Sequence, residues 1–162
     1  PARLAAELRP FLENRGTAIP GDDAWLAKMA ATLQERSKTL LDLAESAHYF
    51  LSDDLVFDEK AVGKFLVADN GPTLHDLADR LRALPDWTPG AIESAFAGTM
   101  EATGRKLGAI AQPVRVAVTG GTVSPGIYEV LDVLGRDRSL SRLDVALART
   151  AGAEATGRPS GS

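Results

Sequence analysis

Cysteine is absent from this chain of 162 residues, histidine occurs only twice, and aromatic residues make up only 6% of the sequence. Without cysteine the chain can form neither a disulfide framework nor a thiolate metal site, which suits a reducing compartment. No apolar run approaches the ~18 residues of a membrane-spanning helix, and the N-terminal residues show no secretory leader pattern. We therefore expect a cytoplasmic protein with no membrane association.

The residues that are present favour helices. Hydrophobic residues make up 44% of the chain, with Ala and Leu prominent. Apolar residues recur at three- and four-residue spacing along most of its length. In residues 23–34, for example, Leu26, Met29, Ala30 and Leu33 fall on one helical face. This composition and periodicity predict an all-α protein.

Hydroxyl and carboxylate side chains occupy positions typical of helix N-caps. Thr73 has Asp76 three residues later, which is the spacing of a capping box with an acidic partner. Thr88 and Ser124 are each followed by proline, which is favourable at the first helical position. Gly104 stands where the helix after Thr88 is expected to end. The full set of expected caps is Thr39, Asp58, Thr73, Thr88 and Ser124.

Residues 114–118 alternate and are β-branched, a pattern that by itself predicts a strand. No other segment could pair with them, and a lone strand would leave its backbone groups unpaired. We therefore expect a short helix here, with Pro113 as its first residue. The Gly-rich residues 119–122 lack the spacing and the lysine of a nucleotide-binding loop. They are better explained as a tight turn that lets the backbone approach a ligand closely.

The net charge of −4 argues weakly against nucleic-acid binding, because phosphate contacts need cations. The distribution of charge matters more. Residues 1–100 carry 10 Lys and Arg against 16 Asp and Glu, a net of −6, whereas residues 101–162 carry 8 against 6, a net of +2. An acidic protein can bind RNA through such a local basic excess.

Candidate catalytic groups are few. His48 and His75 each lie within a predicted helix and are more simply explained as surface or boundary side chains than as catalytic bases or metal ligands. Acidic pairs such as Asp22 and Asp23 lie at helix ends, where the helix dipole accounts for them. We expect no catalytic residue, no metal site and no cofactor in this chain.

The most distinctive stretch covers residues 104–147 and reads GRKLGAIAQPVRVAVTGGTVSPGIYEVLDVLGRDRSLSRLDVAL. It joins a basic pair, a proline, an apolar segment containing one arginine, a Gly-rich turn and a Ser-Pro-Gly step. This arrangement resembles the C-terminal anticodon-binding region of bacterial glutamyl-tRNA synthetases, in which KLG, AQP, RVA, TG and SPG elements recur in this order. The resemblance is thinner through residues 34–51 and 57–66.

The resemblance implies a two-subdomain helical cage that receives the anticodon stem-loop of tRNA-Glu. Residues 1–68 and 69–150 would be its two subdomains, and residues 151–162, rich in Gly, Ala and Ser, would be a disordered tail. It also implies that the chain is the C-terminal fragment of a monomeric glutamate–tRNA ligase. The N-terminal catalytic domain of the same polypeptide would use ATP and Mg, and we expect this chain to be inactive alone.

The resemblance further implies which residues meet the tRNA. Arg36 and Arg115 would read bases, because a planar guanidinium can bond a base edge with two donors. A structural alternative for Arg115 is an ion pair with a carboxylate at the edge of the core. The loop residues expected to meet unstacked bases are Thr122, Ser124, Pro125 and Ile127. The residues expected to contact the tRNA backbone are Arg105, Lys106, Arg136 and Arg138.

Two functions of other classes can be weighed against this one. A free-standing helical protein-interaction module would bind a partner through apolar helix faces and show no salt-dependent RNA affinity. A helix-turn-helix DNA-binding protein would need a polar and basic recognition helix. The helix expected after Ser124 reads IYEVLDVL, which is too apolar and acidic for a DNA groove.

Overall fold

A computed structural model describes residues 2–14, 16, 19–34, 47–52 and 55–157 of the chain. All regular elements of these residues are helical, which confirms the predicted all-α class. The chain separates into two compact units, residues 1–55 and residues 56–162. The subdomain boundary expected at 68–69 stays a prediction about the anticodon-binding architecture.

The helices of the described residues are numbered in chain order. In the first unit they are α1 (Ala2–Asn14), α2 (Asp23–Gln34) and α3 (His48–Leu51). The second unit contains α4 (Glu59–Phe65), a 3-10 turn (Ala68–Asn70), α5 (Gly71–Arg82), α6 (Pro89–Thr103), α7 (Leu107–Thr119), α8 (Ile127–Leu134) and α9 (Arg136–Gly157).

In the first unit α1 packs against α2. Ala5, Leu8 and Leu12 of α1 are buried, and their three- and four-residue spacing places them on one helix face. Arg9 donates from Nε to Asp23 Oδ1 at 2.7 Å, an exposed pair worth less than about 1 kcal/mol. No helix was predicted over residues 2–14, although the three- and four-residue spacing of the apolar residues there indicates one.

The helix expected to begin at Thr39 falls largely on residues 35–46, which lie outside the described residues. The last residues of this predicted helix form α3, in which Phe50 is fully buried.

The long helix α9 is central to the second unit, where it packs against α5, α7 and α8. Leu77 of α5, Val114 of α7, Leu131 of α8 and Leu143 of α9 are all fully buried. Burial of each such side chain contributes about 1.5–3 kcal/mol of hydrophobic free energy. Each of these helices therefore packs its apolar face into a shared core.

Two predicted N-caps are confirmed in this unit. Asp58 Oδ1 accepts the backbone N–H groups of Lys60 at 3.0 Å and Ala61 at 3.5 Å. Thr88 Oγ1 accepts the backbone N–H of Ala91 at 3.2 Å. In both helices the side chain satisfies a backbone donor that the first turn would otherwise leave open.

The predicted cap at Thr73 is wrong. Helix α5 begins before it, at Gly71, and Thr73 is buried inside the first turn. Asp76, its expected capping partner, instead accepts hydrogen bonds from Arg80 Nε at 2.8 Å and from Thr99 Oγ1 at 2.7 Å. This carboxylate therefore links α5 to α6, because a charged donor and a hydroxyl from another helix compete successfully with the local backbone.

Residues 114–118 are helical, as expected, but α7 already begins at Leu107. Pro113 therefore lies in the helix interior and not at its first position, which corrects that part of the prediction. An interior proline costs about 3 kcal/mol or more. Burial of Pro113 and of the neighbouring apolar residues Val114 and Val116 offsets this cost.

Helix α9 continues to Gly157, so the first residues of the tail expected to be disordered are helical. Residues 158–162 lie outside the described part of the chain. Although α9 is 22 residues long, neither it nor any other described helix combines the length and apolarity that a membrane crossing requires.

Candidate anticodon-binding surface

The loop between α7 and α8, residues 120–126, is fixed by its first glycine. Gly120 has a φ of +89°, in the left-handed region that favours glycine. A Cβ atom at this position would collide with the carbonyl oxygen of Val56. The Gly120 carbonyl accepts the backbone N–H of Asp58 at 2.8 Å. The loop thus passes directly against the segment that leads into α4, and only glycine fits at the crossing.

Arg115 projects from α7 to the same loop. Its Nε donates to Ser124 Oγ at 2.7 Å, and its Nη1 donates to Gln112 Oε1 at 3.2 Å. Ser124 Oγ in turn donates to the Pro125 carbonyl at 2.8 Å. This chain of hydrogen bonds holds the half-buried guanidinium in one orientation beside the loop.

The four loop residues expected to meet bases differ in exposure. Thr122 is half-buried, whereas Ser124, Pro125 and Ile127 are buried. Val123 lies between them and is 77% exposed. A base that approaches the loop therefore reaches Val123 and Thr122 before it reaches the others.

Ser124 does not cap the helix that follows it, contrary to prediction. Helix α8 begins at Ile127, and Gly126 stands at the N-cap position. Ser124 lies three residues before the start of α8, and its hydroxyl accepts a hydrogen bond from Arg115 Nε and donates one to the Pro125 carbonyl.

Two of the expected tRNA-backbone contacts are bonded within the protein. Arg105 donates from Nη1 to Asn70 Oδ1 and from Nη2 to the Asp69 carbonyl, which is 3.0 Å away. Arg136 donates from Nη2 to the Leu84 carbonyl. Arg105 therefore links the connection between α6 and α7 to the 3-10 turn, and Arg136 links the start of α9 to the end of α5.

The remaining basic residues of this region have different surroundings. Lys106 is exposed at the start of α7, and Arg138 is half-buried on α9. Arg142 is buried and donates from Nη1 to the Val118 carbonyl at 2.7 Å. A cation at this end of α7 complements the negative carboxyl end of the helix. Arg36, the other expected base reader, lies outside the described residues.

Two residues that touch this site are not among those expected from the sequence. Gln112 orients Arg115 from one helical turn earlier, and Val123 is the exposed apolar residue of the loop. The three-residue spacing of Gln112 and Arg115 on one helix was the available signal for the first. No sequence signal distinguished Val123 from a buried valine.

Two titratable groups of the second unit, Asp76 and Tyr128, have shifted pKa values with structural causes. The hydrogen bond from Arg80 is the main cause that lowers the pKa of Asp76, and the Thr99 hydroxyl adds to it. Burial raises the pKa of Tyr128, whose ring meets Phe96 edge-on with centroids 5.2 Å apart. Within the described ranges, no three His, Asp or Glu side chains lie close enough together to hold a metal ion.

Residues 3–147 match the family model of an anticodon binding domain. The chain belongs to this family. The glutamate–tRNA ligase of Syntrophotalea carbinolica is 42% identical over 149 residues, which cover 92% of this chain and 32% of that protein. The glutamate–tRNA ligase of Geotalea uraniireducens is 44% identical over 148 residues, with coverage of 91% and 32%. The chain thus spans about a third of the length of the curated relatives it matches and is homologous to their C-terminal part.

Solved structures show the same fold. A glutamate tRNA ligase from Elizabethkingia meningosepticum superposes with a TM-score of 0.82 at 20% identity, covering 90% of this chain and 28% of that one. The glutamate-tRNA synthetase of Elizabethkingia anophelis gives a TM-score of 0.77 at the same identity and coverage. These two solved structures therefore share the all-α fold of this chain.

Proposed function

We propose that this chain recognises the anticodon of tRNA-Glu as the C-terminal portion of a monomeric, cytoplasmic glutamate–tRNA ligase. The observation that carries the proposal is the position of Arg115 beside the fixed loop 120–126, where Ser124 and Gln112 hold its guanidinium. An arginine held in one orientation can bond a base edge through two parallel donors and loses little further entropy on binding.

The loop supplies the second element of base recognition. Unstacked bases are bound by a combination of hydrogen bonds and apolar or stacking contacts. The exposed side chain of Val123 offers an apolar contact, and half-buried Thr122 offers a hydroxyl. Ser124, Pro125 and Ile127 of the same segment are buried. Arg36 would be the corresponding reader in the first unit.

In the complete enzyme, an N-terminal catalytic domain of the same polypeptide would bind ATP, Mg and glutamate and would transfer glutamate to the tRNA. This chain would supply selection of the tRNA and no cofactor site of its own. Of the basic residues, Lys106 best suits a contact to the tRNA backbone, because its side chain is exposed whereas Arg105 and Arg136 are bonded to protein oxygens.

The proposal is tested by titrating the protein into fluorescently labelled tRNA-Glu and into the same tRNA with an unrelated anticodon. We expect tighter binding to tRNA-Glu. Arg115→Ala should weaken that binding by about 1–3 kcal/mol and relax the preference at one anticodon base. Arg82→Ala is the matched control, because Arg82 is an exposed arginine paired with Asp79 and Asp144.

Equal affinity of the wild-type chain for the two tRNAs would contradict the proposal. A loss that is the same for both tRNAs in Arg115→Ala would instead assign Arg115 to a phosphate. A free-standing protein-interaction module would show no salt-dependent RNA binding in this titration.

A further inference from the structure

A polar hollow lies between α4 and α7, next to the loop 120–126. Lys60, Lys64 and Phe65 line it from α4, and Gln112 and Thr122 line it from the other side. Its volume is about 340 Å³, at the lower end of the range found for sites that hold small ligands. The hollow is large enough to hold a group of the size of a phosphate.

The charge of the hollow comes from one face of α4. Lys60 and Lys64 are four residues apart, so their side chains lie on the same side of the helix, where like charges repel. The Lys64 ammonium is 5.2 Å from the centroid of the Phe65 ring. Within the part of the chain that the structure describes, neither ammonium has a carboxylate oxygen within ion-pairing distance.

Asp58 also lines the hollow, and its carboxylate keeps its negative charge when it accepts hydrogen bonds from backbone N–H groups, so Asp58, Lys60 and Lys64 together carry a net charge of +1. Its Oδ1 accepts the backbone N–H groups of Lys60 and Ala61 as the cap of α4. Its own backbone N–H bonds the Gly120 carbonyl at 2.8 Å. The same residue thus fixes the start of α4 and anchors the loop, so the two lysines stand at a fixed position relative to the loop.

The hollow is also joined to Arg115 through Gln112. Gln112 lines the hollow, and its Oε1 accepts the hydrogen bond from Arg115 Nη1, so its amide nitrogen is not used in that bond. A ligand there would meet two ammonium groups, the Gln112 amide and the Thr122 hydroxyl, all of which can donate to an anion, together with the Asp58 carboxylate, which can only accept.

We propose that this hollow binds a backbone phosphodiester of the RNA whose bases meet the loop 120–126, with Lys60 and Lys64 as its cationic contacts. The inference rests on the proposed function. Lysine is a compact point charge without the planar fork that distinguishes base edges, so it suits a phosphate better than a base. The site would set the register of the RNA while Arg115 and the loop read the bases.

The test uses the whole chain and two RNA stem-loops, one with the anticodon loop of tRNA-Glu and one with an unrelated anticodon. Binding is measured by fluorescence anisotropy over a series of salt concentrations. The double variant Lys60→Gln, Lys64→Gln should bind both RNAs about tenfold more weakly. Its plot of log affinity against log salt concentration should be less steep by about 1.4, because two contacts to single-stranded RNA are lost.

Two controls test whether the loss of affinity comes from the two positive charges in the hollow, and not from altered folding or from a lower overall charge. Lys60→Arg, Lys64→Arg keeps both cations and should retain the affinity and the salt dependence of the wild type. Arg82→Gln removes one exposed cation that is paired with Asp79 and Asp144, and it should change neither quantity.

Each other outcome contradicts a defined part of the inference. Unchanged affinity and salt dependence in the glutamine variant overturns the phosphodiester site, while a wild-type preference for the tRNA-Glu loop leaves the proposed function standing. A loss confined to the tRNA-Glu loop would mean that the lysines read bases, which also overturns a backbone contact. A wild-type chain that binds neither RNA overturns both the site and the proposed function.

Discussion

Thr88–Pro89 and Ser124–Pro125 have the same sequence pattern, a hydroxyl residue directly before proline, yet they form different structures. Thr88 is exposed and caps α6 by accepting the Ala91 N–H at 3.2 Å. Ser124 is buried, accepts a hydrogen bond from Arg115 Nε at 2.7 Å, and lies before a helix that begins only at Ile127.

The difference shows when a local signal decides a structure. At Thr88 the hydroxyl accepts the nearby backbone N–H, and the N-cap geometry that the pattern predicts is formed. At Ser124 a charged donor from a neighbouring helix reaches the hydroxyl, and a hydrogen bond with an ionised donor is stronger than one with a neutral amide. The candidate surface therefore lies where a contact with another helix replaces the N-cap that the sequence pattern predicts.

The largest expected effect comes from changing the glycine that fixes the loop before Ser124. Gly120→Ala should lower the free energy of unfolding by about 2–3 kcal/mol, because alanine is strained at a φ of +89° and its Cβ would collide with the Val56 carbonyl. Urea unfolding followed by circular dichroism measures this. Gly121→Ala is the matched control, since a Cβ there meets open space. Equal stability of the two variants would contradict the anchoring role of Gly120.

The two hydroxyl residues can be compared directly by truncation. Thr88→Ala should cost about 1 kcal/mol of stability through the lost cap and leave RNA affinity unchanged. Ser124→Ala should cost about 0.5–1.5 kcal/mol and also weaken the preference for the tRNA-Glu anticodon, because Arg115 loses its orienting partner.

Aspartate replacements sharpen this comparison. Thr88→Asp should keep the stability of the wild type, because aspartate is an equally good N-cap. Ser124→Asp should preserve no cap and should reduce RNA affinity, because its carboxylate would neutralise the neighbouring guanidinium. Loss of RNA preference in Thr88→Ala, with none in Ser124→Ala, would reverse the assignment.

The smallest expected effect concerns Asp76. Like Ser124, Asp76 was predicted to take part in an N-cap and instead forms a hydrogen bond with another helix. The pKa of Asp76 is lowered in the folded protein, chiefly by the hydrogen bond from Arg80. Its stabilising contribution is therefore complete above the unfolded value near 3.8 and is lost as the pH falls through the lower folded pKa. Because Asp76 and Arg80 are both partly exposed, we expect a contribution below about 1 kcal/mol.

Asp76→Asn should remove this contribution at pH 7 and flatten the dependence of unfolding free energy on pH between about 5 and 2. The wild type is the reference for this measurement. Equal acid sensitivity of Asp76→Asn and the wild type would show that the Asp76 contact contributes no stability.

The helices of the second unit could largely be predicted from sequence. The periodic apolar residues of α5, α6 and α8, and the caps at Asp58 and Thr88, follow from interactions within one or two turns. Helix α1 was not expected. Helix α7 begins earlier than expected, because packing against other helices stabilises an interior proline, and that packing cannot be inferred from the neighbouring residues in the sequence.

The candidate site could be predicted only in part. Arg115 and the residues of the loop came from the resemblance to glutamyl-tRNA synthetases, and their base-reading roles stay predictions. The partners that hold Arg115, and the hollow with Lys60 and Lys64, required the structure. Lys60 and Thr122 are distant in sequence and line the same hollow because the segment that leads into α4 passes against the loop at Gly120.

By itself the sequence determined the all-α class, the faces of most helices, and the family to which the chain belongs. These depend on apolar spacing that matches 3.6 residues per turn and on the order of motifs, and both can be seen in the order of the residues alone. Tertiary structure decided the partners of Ser124, Asp76 and Arg115. A buried polar group bonds whatever donor or acceptor the fold brings within reach, and a pattern of neighbouring residues does not contain that information.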